Sequence, residues 1–168
     1  MDFKQFQLDP RLMQGITKSG YEKATPIQEA AIPAALRGRD IIGTAQTGTG
    51  KTAAFVLPQI QALRNGAEIL VACPGRLLDL IAQGHARMAN IEVLVLDEAD
   101  RMFDMGFLPD VRRIVKAVPE KRQTMMFSAT FPADVELLAK QALKEPQKIA
   151  MGISKPAHTV AHALYPVP

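Results

Sequence analysis

Short apolar segments alternate with amphipathic segments along this chain, an alternation typical of a parallel β-sheet covered by helices. The apolar segments are rich in β-branched residues, as strands are. Five strands are predicted, at Asp40–Ala45, Glu68–Cys73, Val93–Glu98, Thr124–Ala129 and Lys148–Met151. We expect the middle three to be buried on both faces. The fold class is therefore α/β, with a mainly parallel sheet flanked by helices.

Proline and capping residues mark the starts of the predicted helices. Proline is favoured in the first turn because its fixed φ suits a helix and the N–H that it lacks would have no partner there. One helix is predicted between Asp9 and Gly20, and a second begins at Thr25, which forms a capping-box pattern with Gln28. Further helices are predicted at residues 50–63, 74–83, 109–118 and 132–143.

Length and composition set the scale of the molecule. The chain has 168 residues, of which 48% are hydrophobic and 22% are charged, and this suits one globular domain with a buried core. We expect the domain to span residues 1–151, with its core at 37–151. Residues 152–168 contain three prolines and little periodicity, so they are interpreted as a linker.

Charge and cysteine content place only weak limits on the possible functions. The net charge of +3 permits a polyanionic partner without requiring one. Cys73 is the single cysteine, which excludes an internal disulfide and fits a reducing compartment. The sequence contains no signal pattern and no apolar run of membrane-spanning length. We therefore predict a cytoplasmic protein that does not engage a membrane.

The clearest chemical signal lies between the first predicted strand and the helix after it. Residues 45–52 read Ala-Gln-Thr-Gly-Thr-Gly-Lys-Thr, and the glycines let backbone N–H groups and the helix N-terminus surround a phosphate. Lys51 is expected to reach the terminal phosphates and Thr52 to ligate Mg²⁺. Ala45 replaces the first glycine of the general pattern, and a glycine-rich turn with a chance lysine is the alternative. The predicted nucleotide-binding residues here are Gln46, Thr47, Gly48, Thr49, Gly50, Lys51 and Thr52.

The third predicted strand ends in acidic residues, as a phosphoryl-transfer enzyme requires. Asp97 is expected to hold the metal, partly through water, and Glu98 to act as the general base. With Lys51, these are the predicted catalytic residues. The alternative interpretation is that the acidic residues only cap the helix that follows.

Residues 97–100 read Asp-Glu-Ala-Asp, and together with the phosphate-binding pattern they resemble the DEAD-box ATP-dependent RNA helicases. The resemblance implies a RecA-like P-loop NTPase domain that binds ATP or ADP with Mg²⁺. It also implies a parent protein that hydrolyses ATP to separate short RNA duplexes.

The segment from Gly20 to Gln28 resembles the Q motif of that family, which lies within residues 3–28 here. The resemblance implies adenine-binding roles for Phe3, Tyr21, Thr25 and Gln28, with Phe3 stacking on the base from 17 positions before Gly20. An amide offers a donor and an acceptor side by side, so Gln28 could select adenine over guanine. The alternatives are the capping box for Gln28 and core packing for Phe3.

Two further segments resemble motifs that connect the nucleotide with RNA. Residues 128–130 read Ser-Ala-Thr, which implies that Asp100, Ser128 and Thr130 couple the nucleotide state to RNA binding. Residues Pro74, Gly75 and Arg76 resemble an RNA-backbone contact in which Cys73 replaces the usual threonine. A thiol is a poor acceptor, so we expect this contact to be weakened. A plain helix start is the alternative for these three residues.

The chain departs from the family in its middle. Only 45 residues separate Lys51 from Asp97, whereas the family has an additional arginine-containing motif, a helix and a strand in this interval. The junction lies between Leu57 and Gln61, and the sequence does not say whether it is natural or engineered. We expect the loss to fall on an outer part of the sheet, which would spare nucleotide binding, weaken RNA binding and expose apolar surface.

Residues 160–168 resemble the linker and the start of the family's second RecA-like domain, and we expect the rest of that domain to be missing from this chain. Because that domain supplies arginine fingers, worth about 10³ to 10⁵ in rate, we expect slow hydrolysis at best. Two other functions stay open. One is a nucleotide- or RNA-binding module without turnover, and the other is a P-loop NTPase that acts on DNA or protein.

Overall fold

The structure, a computed structural model, describes residues 1–62 and 69–151. Its sheet contains four parallel strands in the order β2-β3-β1-β4. These confirm four of the five predicted strands. The strands are β1 (Ile41–Thr44), β2 (Val93–Leu96), β3 (Gln123–Ser128) and β4 (Gln147–Ala150).

Helices connect the strands, and most of them begin at the predicted prolines or one residue away. The six-residue α5 and a 3-10 helix at Phe3–Phe6 were not predicted, because both are too short for a helical period to be recognised. The α-helices are α1 (Pro10–Lys18), α2 (Pro26–Leu36), α3 (Lys51–Ala62), α4 (Pro74–Ala82), α5 (Ala99–Asp104), α6 (Leu108–Ala117) and α7 (Ala133–Ala142).

The sheet is the middle of three layers, because side chains of β3 alternate between its two faces. Met125 and Phe127 pack with α2 and α3 on one face. Met126 packs with α5, α6 and α7 on the other. All three side chains are fully buried. A third apolar cluster attaches α1 and the 3-10 helix to the outside of α2 and α3, through Phe3, Phe6, Leu8, Ile16, Ile32 and Leu57.

Asp40 ties the amino ends of the strands together. Its carboxylate accepts the backbone N–H of Thr124 and of Lys144, both at 2.7 Å. Its carbonyl oxygen accepts the N–H of Gln147 at 2.8 Å. The side chain is buried, and one residue therefore joins β1, β3 and β4 at this edge.

The predicted strand at Glu68–Cys73 is wrong for the part that the structure describes. Residues 69–73 have no strand pairing, and Val71 is 89% exposed. A strand needs hydrogen-bonding neighbours, and none is present beside this segment within the described ranges. For the same reason β2 lies at an edge, and Val93, Leu94 and Val95 are only half-buried rather than covered on both faces as expected.

Helix α3 runs without a break from Lys51 through Pro58 to Ala62, across the predicted junction between Leu57 and Gln61. The predicted linker at 152–168 lies outside the described residues. In the ranges that are described, no helix is long and apolar enough to cross a membrane.

Substitution of Gly43 with alanine tests the packing between β1 and β3. A Cβ at Gly43 would lie 2.5 Å from Cδ1 and 2.7 Å from Cε1 of Phe127, whose ring is fully buried and cannot swing away. We expect Gly43→Ala to lower the free energy of unfolding by about 1–3 kcal/mol in urea titrations.

The matched control is Gly15→Ala, in the exposed middle of α1, where a Cβ would meet nothing within 4 Å. This variant should be more stable by about 0.5–1 kcal/mol, because alanine is the better helix former. A Gly43→Ala protein as stable as the parent would contradict the described β1–β3 packing.

Candidate nucleotide-binding site

Three of the predicted motifs meet at the carboxyl edge of the sheet. The phosphate-binding loop follows β1, Ser128 ends β3, and Asp97 follows β2. These strands are parallel neighbours, with Thr44 beside Ser128 and Leu96 beside Met126. The loop and the acidic residues therefore lie on the two sides of β3.

The phosphate-binding loop has the backbone that its glycines permit. Gly48 and Gly50 have φ values of 83° and 90°, in the left-handed region that residues with a Cβ rarely adopt. Lys51 begins α3, and its buried Nζ donates a 2.5 Å hydrogen bond to the carbonyl of Ala45. The Thr49 hydroxyl donates to the carbonyl of Gln46 at 2.7 Å. The Lys51 ammonium and the Thr49 hydroxyl therefore both bond to carbonyl groups of the loop itself.

Gln28 joins α2 to this loop. Its Oε1 accepts the N–H of Thr25 at 3.0 Å within a capping box, and its Nε2 donates to the carbonyl of Gly50 at 3.1 Å. The side chain is 1% exposed. The capping-box interpretation of Gln28 is therefore confirmed, and the adenine-binding interpretation stays a prediction. The two bonds use one N–H and one oxygen lone pair of the amide and leave the other N–H and lone pair without a bond to these groups.

Phe3 and Tyr21 lie side by side in an edge-to-face contact, with ring centroids 6.1 Å apart. Phe3 is 1% exposed within the third apolar cluster, so its packing matches the alternative interpretation rather than an open stacking platform. Stacking on a base would need Tyr21 or Phe6 to move. Tyr21 is 45% exposed, and the rings of Phe3 and Tyr21 line a cavity of about 310 Å³ that also touches Gly20.

Asp97 and Glu98 follow β2 directly. Burial raises the pKa of Asp97, and the N–H of Glu98 and the charge of Lys51 offset part of this rise. That N–H donates to Asp97 Oδ1 at 2.9 Å. Glu98 has a left-handed φ of 51°, and its carboxylate lies 3.1 Å from the guanidinium of Arg101. The predicted general base is therefore held by an exposed ion pair in this structure.

Asp100 connects the acidic segment to the end of β3. Its carboxylate accepts the N–H of Thr130 at 2.8 Å and the Thr130 hydroxyl at 3.0 Å. The Ser128 hydroxyl accepts the N–H of Asp100 at 3.0 Å and donates to the carbonyl of Thr130 at 2.7 Å. Partial burial by itself would raise the pKa of Asp100, but the nearby Ser128 hydroxyl and the hydrogen bonds from Thr130 and Arg101 together lower it.

The oxygen atoms at this edge suit Mg²⁺. This ion keeps several waters and is usually held by one or two carboxylates beside phosphates. Asp97 offers a carboxylate, and Thr52 offers an exposed hydroxyl in the first turn of α3. In residues 1–62 and 69–151, no group of three or more His, Cys, Asp or Glu side chains could hold a metal. The residues fit a metal that is shared with a bound nucleotide.

Comparison with known proteins identifies the family. The sequence profile of the DEAD/DEAH box helicases matches residues 25–68 and 59–138, more than half of the chain. The chain belongs to the DEAD/DEAH box helicase family. DEAD-box ATP-dependent RNA helicase CshA of Streptococcus pneumoniae is 39% identical over an alignment covering 89% of this chain and 38% of that protein. DEAD-box ATP-dependent RNA helicase 30 of Oryza sativa is 36% identical, with coverages of 89% and 31%.

The fold agrees with that of a DEAD-box relative. The crystal structure of a DEAD box protein from the hyperthermophile Methanococcus jannaschii matches with a TM-score of 0.84 and 28% identity, covering 89% of this chain and 56% of that one. This confirms the predicted RecA-like α/β fold. The chain spans less than two fifths of the length of the two curated helicases.

The alignment also supports the predicted shortening inside the chain. CshA aligns over 202 positions, whereas 89% of 168 residues is only about 150, so about 50 positions have no counterpart here. The two profile matches overlap at residues 59–68. The discontinuity from other DEAD-box sequences therefore lies at or just after the end of α3.

The predicted RNA contacts lie at the start of α4. Pro74 and Gly75 begin α4, and Arg76 is exposed. Cys73 precedes the helix without a side-chain capping bond, as expected for a thiol. A larger cavity of about 390 Å³ lies at the opposite, amino edge of the sheet, beside Asp40, and touches none of the DEAD-box motifs. We therefore do not assign the nucleotide to it.

Two contacts of the site were missed from the sequence. The Arg101–Glu98 pair has the helical i,i+3 spacing, which could have been found had the short α5 been recognised. The bond from Gln28 to Gly50 joins residues 22 positions apart, and no local pattern predicts it.

Replacement of Asp100 with asparagine tests the bridge to β3. A carboxyl whose pKa is lower in the folded state adds stability that is present above its unfolded pKa and is lost as the pH falls through its folded pKa. Between neutral pH and about pH 3, we expect the free energy of unfolding of the parent to fall further than that of Asp100→Asn. Urea titrations across this range measure the difference.

The matched control is Asp104→Asn, because it removes an exposed carboxylate at the end of the same helix without touching Ser128 or Thr130. It should leave the acid-induced loss of stability as in the parent. Equal losses in the parent and Asp100→Asn would mean that the bridge contributes nothing in solution.

Proposed function

We propose that this chain binds ATP or ADP with Mg²⁺ as the nucleotide-binding part of an ATP-dependent RNA helicase. The observation that carries the proposal is that the phosphate-binding loop and the acidic residues lie on either side of β3. The charge of Lys51 also offsets part of the rise that burial causes in the pKa of Asp97. A P-loop enzyme needs a phosphate cradle and a metal-holding acid beside each other. The family of the chain supports the same conclusion.

Each residue of the site has a proposed role. The N–H groups of residues 46–52 and the amino end of α3 surround the phosphates. Lys51 leaves the carbonyl of Ala45 and pairs with the terminal phosphates. Thr52 and Asp97 would hold the metal, partly through water. Glu98 exchanges Arg101 for the attacking water and acts as the general base.

Adenine recognition is proposed for Gln28, with Tyr21 and Thr25 beside it. The Gln28 amide has one acceptor and two donors, and its bond to Gly50 is the one that a base could replace without opening the capping box. The Thr25 hydroxyl is buried next to Gly50 and makes no hydrogen bond of normal geometry. Phe3 would contribute through the cavity that it shares with Tyr21.

RNA and a second RecA-like domain are the proposed macromolecular partners. Arg76 and the amide of Gly75 would contact the RNA backbone, weakly because the Cys73 thiol caps nothing. The bridge of Asp100 with Ser128 and Thr130 would report the nucleotide state to the RNA-binding surface. An arginine finger supplied by the second RecA-like domain would raise the rate of hydrolysis by about 10³- to 10⁵-fold.

A binding module without turnover is the second candidate. The ion pair between Glu98 and Arg101 favours it, because a general base that is already paired is not free to orient water. The two candidates share nucleotide binding and differ in whether hydrolysis occurs once the partners are supplied.

Calorimetric titration with Mg-ADP and Mg-GDP tests nucleotide binding. We expect saturable binding of Mg-ADP, much weaker binding of Mg-GDP, and loss of this discrimination in Gln28→Ala. Because Gln28 also supports α2 and the loop, the matched control is Gln123→Ala. That variant removes amide hydrogen bonds to Ala35 and Arg39 at the opposite edge of the sheet and should keep adenine selectivity.

Folding of each variant is checked by circular dichroism and urea unfolding. A folded parent chain that produces no heat with Mg-ADP would overturn the proposed function. Equal affinities for ADP and GDP in the parent would remove adenine recognition by Gln28 but leave phosphate binding intact.

Addition of the second RecA-like domain of a relative in trans separates the two candidates. If the chain is part of an enzyme, RNA should stimulate phosphate release. If it is a binding module, no phosphate should be released. We expect Glu98→Gln to abolish this release while Mg-ADP binding is retained, because the substitution keeps the shape of the side chain and removes the base. RNA and DNA of one sequence then compete for stimulation, and stronger stimulation by DNA would favour a DNA-dependent NTPase.

A further inference from the structure

One edge of the sheet is open along β2. This strand pairs with β3 on one side, and in the described part of the chain no strand pairs with it on the other. Its sequence is Val-Leu-Val-Leu, and it has neither the lysine nor the proline that commonly protect edge strands. The side chains of Val93, Leu94 and Val95 are half-buried. Such an edge is a template for another extended segment.

The same chain carries an apolar segment that pairs with no strand among residues 1–62 and 69–151. We call residues Ile69, Leu70, Val71 and Ala72 the apolar strip. Ile69 is 55% exposed, Leu70 53% and Val71 89%. Large apolar side chains in an unbroken run are seldom left in water unless they bind something. The strip is four residues long, as is β2.

The apolar strip is followed at once by a helix. Pro74 begins α4 directly after Cys73, and α4 packs mainly against α6. Helix α4 has a clear apolar side, yet none of its residues is fully buried. Its apolar side chains are therefore only partly covered.

We propose that two copies of this chain associate, with the apolar strip of each copy adding to the β2 edge of the other. Each copy supplies both halves of the contact, an open parallel-sheet edge and an unpaired β-branched segment. An exchange of this kind can close with two-fold symmetry and leave neither half exposed. Within one chain the two halves stay unpaired in this structure, so the second copy is the occupant that meets both needs.

The association does not depend on the nucleotide site. Val71 is absent from every contact described around Lys51, Asp97 and Gln28. A variant at Val71 can therefore lose association while Mg-ADP binding stays as in the parent. Failure of one proposal would leave the other standing.

Sedimentation velocity over about a hundredfold range of protein concentration tests the association, since the dimer fraction follows mass action. We expect a monomer that converts to one dimer species. Val71→Lys should raise the dimer dissociation constant by at least about tenfold, because it places a charge in the paired strip. The matched control is Leu137→Lys on α7, which removes an exposed leucine, 45% accessible, and should leave the dimer unchanged.

Hydrogen exchange at low and high protein concentration maps the contact. Amides of residues 69–72 and 93–96 should slow together as the dimer forms. The proposal is overturned if the protein is a monomer at every concentration or if association does not end at a dimer. It is also overturned if Val71→Lys and Leu137→Lys weaken the dimer equally. It is also overturned by concentration-dependent protection that leaves 69–72 or 93–96 unchanged. Circular dichroism and urea unfolding establish that both variants fold.

Discussion

The hydrogen bonds of β3 to both of its neighbours are the constraint on which the site depends. Because β3 lies between β1 and β2, its width sets the separation of the phosphate-binding loop from Asp97. The same strand ends in Ser128, which accepts the N–H of Asp100. All of β3 after its first residue is buried, so it cannot shift without opening two apolar layers. The geometry of the site is therefore a consequence of the core and not of the loops alone.

The loop itself is held by polar groups that a nucleotide could also use. Gln28 bonds Gly50 and Lys51 bonds Ala45, each through one of its N–H groups. A nucleotide that replaced these bonds would gain less net free energy than a sum of new contacts suggests. The tight approach of Gln28 also explains why position 50 is a glycine, since a Cβ there would collide with the amide.

Much of the fold follows from local patterns. Prolines and caps located the longer helices within a few residues, and four apolar runs became strands. The Glu68–Cys73 run has the composition of a buried strand, but composition cannot supply a neighbouring strand, and about 50 positions of the alignment with CshA have no counterpart in this chain. The phosphate-binding loop and Asp97 could be recognised because strand, glycines and acids adjoin in sequence. The burial of Phe3 and the contact of Gln28 with Gly50 arise from tertiary packing, which one-dimensional patterns do not contain.

The bonds made by Asp40 give the two ends of the sheet different characters. At the amino end, one buried residue holds three strands through backbone groups that no ligand replaces. At the carboxyl end, side chains such as Gln28 and Lys51 make hydrogen bonds that a ligand can replace. Local opening follows the less protected groups. We therefore expect the carboxyl edge of the sheet, which carries Lys51 and Glu98, to rearrange while the amino edge, which carries Asp40, keeps its conformation.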